Sequence, residues 1–222
     1  LSASREYDAA LSLYEEALEG RRRVLGDDHP ETINSLVSLG IVLDKLARSE
    51  EALPYFVEAL ERRSRLLGEE HYDTLKVLNL LGRQYFRMGR FGEALPLFEQ
   101  TLEVRRRVLG SEHPDTLVSM SNLGALLRSM GRLNEALPYV QESLEIRRRV
   151  MGSDDPNTLT SMNIMGSLLT KMGRQDEALP LLTEALAGKR RVLGNDNAST
   201  LTSISNVCQV LNELGRFEEA LT

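Results

Sequence analysis

The sequence predicts an all-α fold, a solenoid of antiparallel helix hairpins, on three observations. A ten-residue phrase returns as VLGDDHPETI at 24–33, LLGEEHYDTL at 66–75, VLGSEHPDTL at 108–117, VMGSDDPNTL at 150–159 and VLGNDNASTL at 192–201. Its glycines Gly26, Gly68, Gly110, Gly152 and Gly194 stand 42 residues apart, and a fixed period of that size marks stacked supersecondary units. Between the phrases, apolar residues recur at helical spacing in two runs per period.

Residues 1–25 supply only the second helix of a unit, and full hairpins follow at 30–67, 72–109, 114–151 and 156–193. Residues 198–222 open an incomplete final unit, with a first helix over 199–214 and a second beginning at Phe217. The whole of 1–222 thus reads as a single repeat domain cut in mid-unit at both ends, which predicts uncovered apolar faces there and flanking helices beyond the sequence. The third full unit shows the pattern plainly. Leu117, Met120, Leu123, Gly124 and Leu127 share a face until Gly131, and Leu133, Ala136, Leu137, Val140, Leu144 and Ile146 share another until Gly152. A connection this short between two helices makes them antiparallel.

The punctuation has local reasons. Pro54, Pro96, Pro138 and Pro180 follow the hairpin tips closely, so they are expected in a first helical turn, where the missing N–H has no helical acceptor. In the repeated phrase the Gly is expected to close one helix in the left-handed conformation and an Asp or Ser to cap the next. Pro30, Pro114 and Pro156 then occupy the helix entry, where the neighbouring acid suits the positive end of the dipole.

Composition narrows the function. A 41% hydrophobic content is enough for a core, and no apolar run reaches membrane-spanning length. The start lacks the pattern of an intact signal peptide, so no membrane partner is expected. The single cysteine, Cys208, forbids an intrachain disulfide framework and fits a cytoplasmic protein. With 27 Lys and Arg against 33 Asp and Glu, no Trp and 5% aromatics, nucleic acid is not an expected partner.

Catalytic signals are missing as well. There is no Gly-Xaa-Ser-Xaa-Gly elbow, and LGRQYFRMGRFG lacks the ending of a phosphate loop. His29, His71 and His113 sit one unit apart, too far to share a metal, and read as loop or capping residues. No enzyme activity, cofactor or metal is therefore expected within this span. Cys208 occupies the register of Gly40, Gly82, Gly124 and Gly166 and is expected to be a small buried residue. The basic clusters, Arg21–Arg23 through Lys189–Arg191, close the second helices. They are expected to meet the negative dipole end and to pair along the helix with acids such as Glu16, Glu19, Glu58, Glu61, Glu103 and Glu145.

The residues Leu39, Gly40, Leu43, Ala52, Phe56, Ala59, then Leu81, Gly82, Tyr85, Ala94, Phe98, Thr101, then Met165, Gly166, Leu169, Ala178, Leu182, Ala185, are similar to the pattern of the tetratricopeptide repeat (TPR) family. The 42-residue unit, with its long arginine-ended second helix and "LG..HP.T" connection, resembles the subtype found in kinesin light chains. That resemblance implies a right-handed superhelix whose first helices line a concave groove. Mapped here, the wall holds Asn34, Val37, Ile41, Asp44 and Lys45, then Lys76, Asn79, Arg83, Phe86 and Arg87. Ser121 and Arg128 follow, then Asn163, Ser167 and Lys171, and finally Ser205 and Gln209. Asparagines serve both donors and acceptors of an extended backbone, and cations meet carboxylates. The resemblance thus implies a non-catalytic scaffold binding a protein or an extended, acidic linear peptide. The alternative is a structural element that self-associates end to end or through its convex surface.

Overall fold

A computed structural model describes the backbone of residues 2–220 and the side chains of residues 11–218. The expectation for Thr222, the end of the last helix, lies outside the described residues. The described chain is all helical, without strands: α1 (Ser2–Leu25), α2 (Pro30–Lys45), α3 (Ser49–Leu67), α4 (Tyr72–Arg87), α5 (Phe91–Leu109), α6 (Pro114–Ser129), α7 (Leu133–Met151), α8 (Pro156–Lys171), α9 (Gln175–Leu193), α10 (Ala198–Glu213) and α11 (Phe217–Ala220). The chain forms two compact units, Leu1–Val108 and Leu109–Thr222.

In the first unit, the core gathers Leu18 of α1 with Leu36, Leu39 and Leu43 of α2 and Phe56 of α3, all buried. In the second, Leu117, Met120 and Leu123 of α6, Leu159 and Met162 of α8, and Leu182 of α9 are sealed from solvent in the same way. Each hairpin depends on a glycine in its first helix. A Cβ on Gly40 would lie 2.7 Å from the Phe56 ring, on Gly82 2.7 Å from Phe98, on Gly124 2.6 Å from Val140 and on Gly166 2.5 Å from Leu182. These distances are shorter than real Cβ contacts, so the close approach needs the missing side chain. Cys208, in the same register, is half-buried rather than fully buried. Among the described residues, only Phe217–Ala220 of a following helix stands near it in sequence, and α11 carries no residue in the register of Phe56.

At each hairpin tip the chain closes the first helix by two reversed hydrogen bonds. Gly89 N–H donates to the Phe86 carbonyl at 3.1 Å and Arg90 N–H to that of Tyr85 at 2.9 Å. Gly131, Gly173 and Gly215 hold the same position with φ of 76°, 75° and 71°, whereas Ala47 holds it at 59°, the left-handed region that disfavours a side chain.

The structure corrects three local expectations. First, the second helices begin earlier than the prolines suggest: Arg48 is the N-cap of α3, the Ala52 N–H donates to its carbonyl at 3.1 Å, and Pro54 is inside the helix. Pro96, Pro138 and Pro180 are interior too, so each leaves the carbonyl four residues before it without a helical donor. Second, the glycines that end the second helices are not in the helical left-handed well: Gly68 has φ 89° and ψ 161°, a region populated essentially by glycine alone. Third, the loop Asp caps the next helix only at Asp155; in the first three phrases the histidine does so. Nδ1 of His29, His71 and His113 accepts from the backbone N–H of Glu31, Asp73 and Asp115 at 3.2, 3.2 and 3.1 Å. Asp155 and Asn197 take over at the same place, Asp155 accepting from both Asn157 and Thr158.

Candidate functional site

The side chains predicted for a binding wall divide by unit and by burial. In the first unit, α2 and α4 present Asn34, Lys45, Lys76, Arg83 and Arg87 to solvent, with Phe86 half-buried. Asn79 is buried, 8% exposed, and is no surface residue. Arg87 is tied across the helices to Asp44, with Nη1 2.6 Å from Oδ2. Asn34 Oδ1 accepts from Nη2 of Arg63 at 2.7 Å, so its carbonyl is already used inside the repeat. Lys76 stands 3.7 Å from Asp73 and 5.4 Å above the Tyr72 ring, both loose contacts. Arg83 is exposed and, among the described residues, makes no ion pair or hydrogen bond. Half-buried Val37 and Ile41 complete the face on α2.

In the second unit, Asn163 is buried, 6% exposed, and bridges two first helices. Its Nδ2 donates to Ser203 Oγ at 2.6 Å, and its Oδ1 accepts from Asn206 at 3.4 Å. Arg128 and Ser167 are half-buried and bonded to each other at 3.0 Å; burial holds the Arg128 guanidinium below its ordinary pKa. Ser121 accepts from Arg147 at 3.0 Å. Lys171, Ser205 and Gln209 remain exposed, Gln209 donating to Glu213 at 2.9 Å. The sequence mapping thus places Asn79 and Asn163 on a surface where the structure buries both, and for Asn163 the reason is that its amide finds partners one unit away.

The basic clusters do more than face the dipole. From the second cluster on, the cation in the register of Arg21 is buried: Arg63 donates to the Asp73 carbonyl at 2.9 Å, Arg147 to Ser121 and Ser161, and Lys189 to the Ser199 carbonyl at 3.4 Å. Burial pushes all three below their ordinary pKa. Second members reach the next second helix, as Arg22 to Glu58 at 2.6 Å and Arg148 to Glu184 at 2.7 Å. Third members reach back to the preceding loop: Arg65 to Asp28, Arg107 to Glu70 at 2.5 Å, Arg149 to Glu112 at 2.6 Å and Arg191 to Asp154. Of the expected pairs along the helix, Arg62–Glu58 is present at 2.9 Å, but most of the acids used lie in neighbouring units. The spacing of 37 residues from each third arginine to its acid was legible as a second period in the sequence.

Among the described residues no cluster of His, Cys, Asp and Glu could hold a metal ion, and no helix is long and apolar enough to cross a membrane. The molecule is a helical-hairpin repeat scaffold. The model of the tetratricopeptide repeat matches residues 1–65, 73–148, 118–191 and 165–222, and the chain belongs to that family, whose members generally mediate protein interactions and are typically non-catalytic. Its fold is similar to that of the Podosopora anserina kinesin light chain nearly identical TPR-like repeats, at 25% identity and a TM-score of 0.76, over 87% of this chain and 92% of that one. It is similar also to BtubC (BKLC) from P. vanneervenii, at 22% identity and a TM-score of 0.81, over 96% of this chain and 86% of that one. MamA 41-end from Desulfovibrio magneticus RS-1 shares the fold at 13% identity and a TM-score of 0.61, over 85% of this chain and 89% of that one. No curated protein matches the chain.

Proposed function

We propose that the chain is a protein-binding scaffold of a cytoplasmic protein, and that the α2–α4 face takes an extended acidic segment. The observation that carries this reading is Arg83, an exposed guanidinium with no partner among the described residues. It lies two helical turns from Lys76 on α4, and α2 of the same unit carries the half-buried apolar Val37 and Ile41. A free guanidinium offers a bidentate site for a carboxylate, and the apolar pair offers an anchor for one side chain of the same segment. The net charge of -6 repels acidic ligands elsewhere, which makes the local excess of cations here selective.

The test is selection from a library of acidic and random peptides on the wild-type chain and on a Lys76→Glu, Arg83→Glu variant. Asn79 is left alone because it is buried. Both replaced residues are exposed, so the variant keeps its helicity and denaturation midpoint. The expected result is enrichment of acidic sequences by the wild type and their loss by the variant. Equal selection by both proteins, or none by either, would sink the reading.

A further inference from the structure

We propose that the cleft between α1 and α3 is a second docking site, for a basic linear segment that lays one arginine or lysine side chain across Tyr55. The cleft has a volume of about 440 Å³ beside the hairpin tip, where Arg48, Glu51 and Tyr55 line it, and continues along α1 in a further space of about 360 Å³. Glu15, Arg22 and Tyr55 are common to both parts, so the two form one trough. Its floor is apolar, built from Leu18, Leu39 and Leu43, which are 5%, 0% and 3% exposed.

The charges on its rim are unequal in availability. Both cations are occupied: Arg22 by Glu58 at 2.6 Å and Asp27 at 3.2 Å, and Arg48 by Glu51 at 2.6 Å. Glu15 and Glu19 are exposed and, among the described residues, have no partner. The trough therefore offers two uncommitted carboxylates, an aromatic ring and an apolar bed. A long aliphatic stem ending in a cation satisfies all three at once, the stem on the leucines and the charge between ring and carboxylates.

In sequence the trio recurs as Glu99, Glu103 and Tyr139, but the register between α7 and α9 of the second unit departs from it. There Gln141 replaces Glu15 and is bonded to Glu145, at 2.9 Å, which closes off the carboxylate equivalent to Glu19. Leu181 replaces Tyr55. That register lacks both the free acids and the ring.

The experiment measures fluorescence anisotropy of a labelled, uncharged-ended nonapeptide of alternating Gly and Arg, with a Gly–Glu peptide of the same length as the opposite probe. The wild-type chain is expected to bind the arginine peptide. A Glu15→Gln, Glu19→Gln variant should bind it about fivefold more weakly, the sum of two exposed charge contacts. Tyr55→Leu should weaken it about threefold. A Glu69→Gln, Asp196→Asn variant, which removes the same charge from exposed loop positions outside this register, should bind as the wild type does. No binding by the wild type, or an equal loss in the loop variant, overturns the proposal, the latter by showing attraction to net charge alone. The Lys76→Glu, Arg83→Glu variant keeps this binding even if the acidic-segment reading fails, so the two readings stand or fall separately.

Discussion

Replacing Gly166 by Ala tests the packing argument at its sharpest point. A Cβ there meets three atoms of Leu182, Cγ at 2.5 Å, Cδ2 at 2.6 Å and Cδ1 at 3.2 Å, and the nearest is the branch point, not a free end. Leu182 is 0% exposed and its Cγ cannot swing clear as the end of a flexible chain would, so α8 and α9 must separate. Overpacking of this kind costs about 1–3 kcal/mol, and the better helix propensity of Ala returns about 0.8–1.0 kcal/mol. The expected net loss is about 0–2 kcal/mol. Gly20→Ala is the matched control, since a Cβ at that helical position meets nothing within 4 Å, and it should gain about 0.5–1 kcal/mol. Urea denaturation followed by circular dichroism gives both values. Adding Leu182→Ala to Gly166→Ala should cost clearly less than the two changes summed, because the second removes the clash created by the first. Strict additivity, or a Gly166→Ala gain equal to that of Gly20→Ala, would refute the claim that the missing side chain sets the helix separation.

The remaining predictions use the same measurement. Ala47→Gly should stabilise by about 0.5–1 kcal/mol, since φ of 59° strains Ala where the other tips have Gly, and Gly131→Ala should destabilise by a similar amount. His113→Asp should stabilise by about 0.3–1 kcal/mol at neutral pH, because a carboxylate can accept the second amide that Asp155 accepts and also favours the helix N-terminus. Acid should weaken the fold in a defined window: hydrogen bonds from Arg48, Arg90, Arg132 and Arg174 hold Glu51, Glu93, Glu135 and Glu177 below the ordinary 4.5. A depressed carboxylate contributes stability that is complete above 4.5 and lost as pH falls through the depressed value. Changing all four to Gln should therefore flatten the acid limb of the midpoint-against-pH curve while leaving the shape above it unchanged.

The hairpins, their order and the glycine crossings were legible because each rests on a pattern repeated in sequence: 42-residue spacing, helical periodicity and a small residue at a fixed register. What misled was a local rule applied without its partner. Pro54 looks like a helix start, yet the Arg48 carbonyl captures the Ala52 N–H and starts α3 before the proline arrives. His29 looks like loop packing or a cap, and only the coordinates single out Nδ1 as the acceptor rather than the hydroxyl or carboxylate of a neighbour. Of the binding wall, the exposed cations could be read from the sequence, but the burial of Asn79 and Asn163 could not. An amide suits a surface as well as a gap between helices, and Ser203, which settles the matter for Asn163, is 40 residues away.

The arginine clusters show how such a repeat fixes its own register. Successive residues of an α-helix project about 100° apart, so three in a row cannot serve one neighbour. Around the second unit's α7, Arg147 points inward to α6 and α8, Arg148 across to α9, and Arg149 back to the loop before α6. The outer rungs are exposed, with Arg149 and Glu112 at 65% and 61%, and each contributes little by itself. The inner member is different. Arg147 is 6% exposed and, among the described residues, donates hydrogen bonds only to hydroxyls, so any slip of α8 that carries Ser161 out of reach leaves a buried cation with fewer donors satisfied, at a cost of about 1.5–3 kcal/mol. A one-residue slip turns the contact by about 100° as well as moving it about 1.5 Å along the axis, which in one direction puts Met162, with no hydroxyl, where Ser161 was, and in the other the bulkier, β-branched Thr160. The apolar core supplies attraction that tolerates such slips better, since leucine against leucine is nearly non-directional. Attraction between units therefore comes from the leucines, and the single allowed alignment comes from one buried cation per unit.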